Sequence, residues 1–244
     1  MRKIIFELCA ETIDACIAAR DGGADRIELC SGLSEGGLTP SHGLVRAAIE
    51  LSGLPVHALI RPRGGDFHYS EAEIAVMAED IHHMKHLGTS GVVLGALKAG
   101  SNVDVEATQR LVEMAHPMSV TFHRAFDTTP SLSDALEAVI MTGCDRVLTS
   151  GGQRDVIAGA IQLADLIRQA DGRIAIAAGG GLRLQNAAAL AQLTGATQFH
   201  GSLRRRVTAQ THDSNHTNGS GTSGCRYVVD PDTVRGVIEL LQSA

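Results

Sequence analysis

The 244-residue chain has 44% hydrophobic and 20% charged residues, only 3% aromatic residues and a formal net charge of -6, which predicts a globular protein with an aliphatic core. The acidic balance argues against a nucleic-acid backbone or an anionic membrane as the main partner, because both require a basic protein surface. No stretch approaches the roughly 20 apolar residues of a membrane span, and the chain start does not resemble a signal peptide, so we expect a cytoplasmic protein.

Eight short apolar runs, each followed by a longer helical pattern, succeed one another along the chain. The first half contains "KIIFELC", "DRIELC", "VHALIR" and "GVVLGAL", with helices expected over 11–23, 41–52, 71–87 and 104–115. The second half contains "SVTFHR", "DRVLTS", "IAIAAGG" and "TQFHG", with helices expected over 131–142, 153–170, 183–193 and 231–242. Eight such pairs predict a parallel sheet covered by helices and closed into a (β/α)8 TIM barrel, with residues 1–244 as a single domain. The alternative is an open doubly wound sheet, but "GGADRIE" does not supply its dinucleotide fingerprint.

The polar segment from about 204 to 225 separates the eighth strand from the last helix. Its Gly and Ser content favours a mobile loop. Loops that leave the C-terminal ends of barrel strands also form the face that carries the active site, so a lid over the barrel mouth is the alternative.

Ionisable residues lie toward the C-terminal ends of the predicted strands, where a barrel places its chemistry. The candidates for an acid/base or anion-binding pocket are Glu7, Glu28, Arg61, His123, Arg124, Asp127 and His200. Two structural alternatives stay open. Asp127 could order the turn before the next helix, and the carboxylates of Glu7 and Glu28 could form a buried charge network with the Arg61 guanidinium.

The tripeptide "ELC" occurs on both of the first two strands, at 7–9 and 28–30. Neighbouring strands lie about 4.8 Å apart, so Cys9 and Cys30 could lie side by side, each with its glutamate one pleat below. Paired thiolates favour a soft ion such as Cu(I) over hard cations. The alternative is that both cysteines are buried apolar-like side chains. An odd total of five widely spaced cysteines predicts free thiols.

Glycine-rich stretches follow the last two predicted strands. Gly179, Gly180 and Gly181 follow the seventh strand and Ser202 follows the eighth, which are the positions where barrels often bind a phosphate through backbone N–H groups. The segment "RPRGGDF" at 61–67 adds arginines at the same mouth. These features predict a cavity suited to an anion.

The segments "ADRIELCSGLSEGGLTPS", "IRPRGGDF", "VTFHRAFD" and "RVLTSG" resemble the CutC copper homeostasis proteins. The resemblance extends from about residue 4 to residue 202. It implies a TIM barrel, a cytoplasmic location, homo-oligomeric assembly and a role in copper tolerance or trafficking. It also implies that Cys9 and Cys30 are the Cu(I) ligands.

Two functions therefore remain open at this point. The first is a copper-binding homeostasis protein that holds Cu(I) through thiolates at the barrel mouth. The second is a barrel enzyme for a small anionic or phosphorylated substrate, for which the sequence assigns no reaction.

Overall fold

The structure, a computed structural model, describes residues 4–208 and 225–244, without the side chains of Thr208 and Cys225. Within these residues, eight parallel strands form a closed barrel in which each strand pairs with its neighbours in chain order and the last pairs with the first. The predicted (β/α)8 TIM barrel is confirmed. The strands are β1 (Ile5–Ala10), β2 (Arg26–Leu29), β3 (Val56–Leu59), β4 (Gly91–Leu94), β5 (Ser119–Phe122), β6 (Arg146–Thr149), β7 (Ala175–Gly179) and β8 (Gln198–Gly201).

A helix follows each strand and covers the outside of the barrel. The helices are α1 (Ile13–Gly22), α2 (His42–Ser52), α3 (Glu71–Leu87), α4 (Val105–Ala115), α5 (Leu132–Thr142), α6 (Ala160–Ala170), α7 (Ala187–Thr194) and α8 (Pro231–Ser243). Side-chain caps fix many of their starts. For example, Ser70 and Glu73 form a reciprocal capping box at the start of α3, which satisfies backbone N–H groups that the helix itself leaves without partners.

Two helices begin later than the sequence predicts. Helix α6 begins at Ala160 instead of near 153, because the Asp155 carboxylate accepts the backbone N–H groups of Ile157 and Ala158 and holds the segment in turns. Helix α7 begins at Ala187 instead of near 183. Short side chains that bond nearby backbone groups compete with helix formation, and sequence periodicity does not report that competition.

The same aspartate-to-backbone hydrogen bond occurs at two strands on opposite sides of the barrel. The sequence "DR" opens both β2 and β6. The Asp25 carboxylate accepts the backbone N–H of Phe6 at 2.7 Å, and Asp145 accepts that of Val120 at 2.7 Å. Each aspartate thus fixes the start of the preceding barrel strand, and the following arginine enters the barrel interior.

The hydrophobic core lies mainly between the barrel and its helices. Its largest fully buried side chains include Phe6, Phe122, Phe126 and Phe199. The inner face of the barrel, by contrast, carries many buried polar and charged side chains. Since unpaired buried charges are unfavourable, the contacts of those groups separate structural from functional roles.

Residues 205–208 and 225–228 form a two-stranded antiparallel ribbon beside the barrel mouth. The Arg204 guanidinium, which precedes the ribbon, pairs with Glu11 at 3.0 Å and lies over the Tyr227 ring at 4.3 Å. The ends of the predicted polar segment 204–225 are therefore ordered against the barrel. Its middle, residues 209–224, lies outside the described residues, so the mobile-loop and lid interpretations stay predictions.

None of the described helices has the length and apolar character needed to span a membrane.

Candidate functional site

Strand register brings three ligand-type side chains together near the C-terminal end of the barrel. Cys9 lies level with Glu28 across β1 and β2. On the other side of β1, Glu7 lies level with His200 of β8. One ligand atom each from Cys9, Glu28 and His200 lies within 4.8 Å of the other two, and all three residues are buried. We call these three residues the Cys–Glu–His cluster.

Cys30 lies one pleat beyond Cys9 along the barrel axis instead of directly beside it, because Cys9 is level with Glu28. The two cysteines still pack together in a small buried group with Leu59 and Val93. The neighbouring Cys30 thiol, together with burial, raises the pKa of the Cys9 thiol well above its usual value. Cys30 also donates to the Ala10 carbonyl, with a sulfur-to-oxygen distance of 3.7 Å.

The predicted free thiols are confirmed for the cysteines that the structure describes, since Cys9, Cys16, Cys30 and Cys144 form no disulfide. All four are buried. Cys16 and Cys144 belong to the core around the barrel, apart from the Cys9 and Cys30 group. They therefore offer matched controls for any experiment on the mouth cysteines.

Glu7 is the centre of a buried ion network beneath the Cys–Glu–His cluster. Its carboxylate accepts from Arg26 at 2.7 Å, from Arg146, and from His200 Nδ1 at 2.8 Å. Burial alone would raise the pKa of Glu7, but His200 and Arg26 lower it below the usual value. The sequence interpretation of a buried network is thus right for Glu7 and wrong for the cation, since Arg61 does not take part.

Glu28 is buried, and only one of its two carboxylate oxygens has a hydrogen-bond partner among the described residues. Its Oε1 lies 3.6 Å from the Cys9 sulfur, whereas Oε2 has no hydrogen-bond partner among the described residues. Burial raises the pKa of Glu28 to about 7, against the opposing influence of His200. Burial alone would lower the pKa of His200, but Glu28, Cys9 and Glu7 raise it well above its usual value.

His123 points into the mouth, as predicted, and is 6% exposed. Its Nδ1 accepts the backbone N–H of Ala125 at 3.3 Å, and its ring lies 4.8 Å from that of Phe67. Burial and the nearby Arg61 charge lower the pKa of His123 to about 3. The imidazole is therefore neutral, with its proton on Nε2, and Nε2 has no partner among the described residues.

Arg61 is 5% exposed and also faces the mouth. Its terminal nitrogens donate to the carbonyls of Glu35, Gly37 and Gly65 at 2.7–3.0 Å. No carboxylate of the described chain pairs with it, and its Nε has no hydrogen-bond partner there. Arg61 holds the loops after β2 and β3 together and leaves one positive charge uncompensated at the mouth.

Arg124 and Asp127 lie at the exit of β5, and they have different roles. The Asp127 side chain is buried and accepts from the backbone N–H groups of Ser150 and Gly152 at 3.0–3.1 Å. Asp127 thus has a structural role, but it orders the loop after β6 and not the turn before α5 that the sequence suggested. The Arg124 side chain is 43% exposed, pairs with Asp127 at 2.7 Å and lines the mouth.

The predicted phosphate-binding residues border the same space. Gly180, Gly181 and Ser202 line the mouth. Gly180 and Gly181 have φ values of 112° and 79°, which favour glycine. A Cβ on Gly180 would lie 3.2 Å from the Arg124 guanidinium, so this glycine lets the cation approach the backbone. Gly179 lies just below, packed on His200 and Leu148.

These residues surround one cavity of about 220 Å³ at the C-terminal mouth of the barrel. Six of the predicted pocket and metal residues line it: Cys9, Glu28, Arg61, His123, Arg124 and His200. Glu7, Cys30 and Asp127 lie behind the lining and support it. The arrangement offers thiol, carboxylate, imidazole and guanidinium groups to one small volume.

Sequence reasoning did not identify Arg26, Arg146 or His57 as part of the barrel interior. All three side chains face inward, and His57 lies level with Glu28 and Gly91. A Cβ on Gly91 would lie 2.6 Å from the His57 ring, so this glycine provides the space for the imidazole. The inward position of Arg26 could have been inferred from its spacing to Glu28, because residues two apart on one strand lie on the same face.

Comparisons with known proteins agree on one family. The CutC family model matches residues 4–205. The "family protein CutC" of Chromobacterium violaceum is 44% identical over 240 residues, which cover 98% of this chain and 97% of that protein. The "family protein CutC" of Bacteroides fragilis is 41% identical over 246 residues, which cover 100% and 98%. A solved structure of a candidate copper homeostasis protein CutC from Streptococcus agalactiae is 32% identical, with a TM-score of 0.78 over 82% of this chain and 98% of that chain.

Proposed function

We propose that this chain, which belongs to the CutC family, binds Cu(I) at the mouth of its barrel as part of a role in copper homeostasis. Cys9 and Cys30 would supply thiolates, and His200 would supply an imidazole nitrogen. The cytoplasmic location and homo-oligomeric assembly that the sequence resemblance implies belong to the same proposal.

The observation that supports the proposal is the Cys–Glu–His cluster with Cys30 packed against it. Sulfur and imidazole ligands suit Cu(I) better than they suit hard cations. Oε2 of Glu28 has no hydrogen-bond partner within the described chain, so one atom of this buried group of possible metal ligands is left without an internal partner. The donor chemistry therefore fits a soft ion.

The environment of His200 adds a second argument. Its Nδ1 is bonded to the Glu7 carboxylate at 2.8 Å, so Nε2 is the nitrogen that would bind an ion once the ion displaces its proton. A carboxylate on the far nitrogen is the usual outer partner of a metal-bound histidine, because it fixes the tautomer and the ring orientation. Arg26 and Arg146 hold Glu7 in turn.

The test is an anaerobic titration of Cu(I) into the protein in competition with a chromophoric Cu(I) chelator. We expect Cys9→Ser and Cys30→Ser each to weaken binding more than the about 10–100-fold loss typical of an outer-partner change. Cys144→Ser is the matched control, because that thiol is buried elsewhere in the core. Equal Cu(I) affinity of the wild type and the Cys9→Ser, Cys30→Ser double variant would end the assignment.

The second candidate function is an enzyme or binding protein for a small anionic substrate. The observation that favours it is the volume of about 220 Å³ at the mouth, which exceeds the needs of a single ion. The positive Arg61 and the glycines at 180 and 181 border that volume. A crystal soaked with sulfate tests this candidate, and an anion bound only away from the mouth would count against it.

A further inference from the structure

Three residues that line the mouth cavity each carry one buried side-chain atom without a hydrogen-bond partner within the described chain. These atoms are Oε2 of Glu28, Nε of Arg61 and Nε2 of His123. Each residue is at least nine-tenths buried. Buried polar groups are nearly always hydrogen-bonded in native proteins, so three orphans around one cavity indicate a polar occupant.

The three atoms differ in what they require of that occupant. Arg61 Nε and His123 Nε2 carry protons and need acceptors, because His123 uses Nδ1 to accept from Ala125. Glu28 Oε2 can accept a hydrogen bond when the carboxyl is ionised and donate one when it is protonated, and a hydroxyl group can pair with it in either state. The occupant must therefore present acceptor oxygens on one side and a hydroxyl group on another.

The charges around the cavity narrow the class of ligand further. The guanidinium of Arg61 contacts backbone carbonyls instead of a carboxylate, and a buried cation without a counterion is unfavourable. At the mouth, Arg124 is already paired with Asp127, and His200 with Glu7. Arg61 is thus the cation that an anionic ligand would neutralise.

We propose that the mouth cavity binds a small organic anion that also carries a hydroxyl group. The anionic oxygens would accept from Arg61 Nε, a further ligand oxygen would accept from His123 Nε2, and the hydroxyl would form a hydrogen bond with Glu28 Oε2. The cavity of about 220 Å³ corresponds to about seven water molecules at ~30 Å³ each. A ligand of roughly 6–10 non-hydrogen atoms would therefore fill it.

This inference rests on the second candidate function and names its ligand class. It is separable from the copper proposal because Cys30 packs behind Cys9 and does not line the cavity. A carboxylate or a phosphate ester could supply the anionic oxygens. If the ligand is a phosphate ester, Gly180, Gly181 and Ser202 would lie beside its phosphate, because they line the same cavity.

The experiment is isothermal titration of the copper-free full chain with four probes: glycerate, glycerol 3-phosphate, glycerol and sulfate. Glycerate and glycerol 3-phosphate carry both an anion and hydroxyl groups, and their relative affinities distinguish carboxylate from phosphate. Glycerol lacks the charge, and sulfate lacks the hydroxyl. We expect at least one of the first two to bind more tightly than either of the others.

Substitutions of the cavity residues test whether the probe binds in this cavity. His123→Asn keeps an acceptor for the Ala125 N–H and removes the Nε2 donor, so affinity for the binding probe should fall by up to about tenfold, as for a hydrogen bond between neutral groups. Arg61→Lys keeps the charge and removes Nε, and should also weaken binding. Arg46→Lys, at an exposed position on α2 and outside the cavity lining, is the control that should bind as the wild type does.

Three results would overturn the proposal: none of the probes binds, sulfate or glycerol binds as tightly as glycerate and glycerol 3-phosphate, or His123→Asn binds the preferred probe as the wild type does. Because Arg61 holds two loops, the Arg61→Lys result counts only alongside an unchanged circular dichroism spectrum, and His123→Asn decides in any case. Cys30→Ser separates the two proposals. It should lose Cu(I) binding and keep binding of the organic probe.

Discussion

Replacement of Glu7 by Gln tests whether the buried ion network holds the mouth together. The substitution keeps the size of the side chain but removes the charge that Arg26, Arg146 and His200 share. A glutamine amide also turns one acceptor oxygen into a donor that faces guanidinium donors. Loss of one partner from a buried ion pair destabilises a protein by about 3–5 kcal/mol. For a chain of this length each kcal/mol lowers Tm by roughly 2–4 °C, so we expect a loss of roughly 6–20 °C.

The assay is urea and thermal denaturation near pH 7, with Glu137→Gln as the matched control. Glu137 also pairs with an arginine, Arg173, at 2.7 Å, but both side chains are about half exposed, at 46% and 45%. Exposed ion pairs contribute little, so this control should unfold almost as the wild type does. A second readout is Cu(I) affinity, which should fall by about 10–100-fold as His200 loses its outer partner. If Glu7→Gln were no less stable than Glu137→Gln, the network would not have the structural role assigned to it.

Two further substitutions test other parts of the barrel interior. Burial lowers the folded-state pKa of His123 from 6.5 to about 3, so the unfolded chain takes up the proton first as the pH falls below 6.5. Between pH 7.5 and 5.5 the wild type should therefore lose about 1.4 kcal/mol of stability that His123→Asn retains. Urea denaturation at both pH values measures this difference. Equal losses of stability in the two proteins would contradict a buried, neutral His123. Gly91→Ala places a Cβ 2.6 Å from the His57 ring and should destabilise by about 1–3 kcal/mol. Gly43→Ala, in open space on α2, should be neutral or stabilising, and equal effects of the two would refute the close approach at Gly91.

The alternation of strands and helices along the chain could be predicted because it depends on local sequence patterns. Parallel barrel strands are buried on both faces and therefore appear as short continuous apolar runs. Residues two apart share a face, which placed Glu7 with Cys9 and Glu28 with Cys30. The start of α6 was wrong by several residues, because the Asp155 turn that delays it depends on side-chain bonds and not on hydrophobic period.

Register and ion pairing could not be predicted from the same patterns. Whether Cys9 lies level with Cys30 or with Glu28 depends on the stagger of the closed barrel, which a single strand does not encode. The partner of Glu7 was missed for the same reason, since Arg146 is distant in the chain and reaches Glu7 only across the closed barrel. Arg61 was placed correctly at the mouth, but its partners are loop carbonyls, which sequence charge patterns do not reveal.

Glu28 connects the two ligand proposals, because its Oε1 contacts the Cys9 thiol and its Oε2 is an orphan at the cavity. A protein that only carried an ion on thiolates would need Cys9, Cys30 and the groups that orient them. It would not need a buried Arg61 without a carboxylate or a neutral His123 with a free Nε2. A buried group left unsatisfied costs about 1–3 kcal/mol, and three of the seven such side-chain atoms in the described residues belong to residues that line this one cavity. The contacts at the mouth therefore favour the proposed organic-ligand site beside the proposed soft-metal site over a metal site alone.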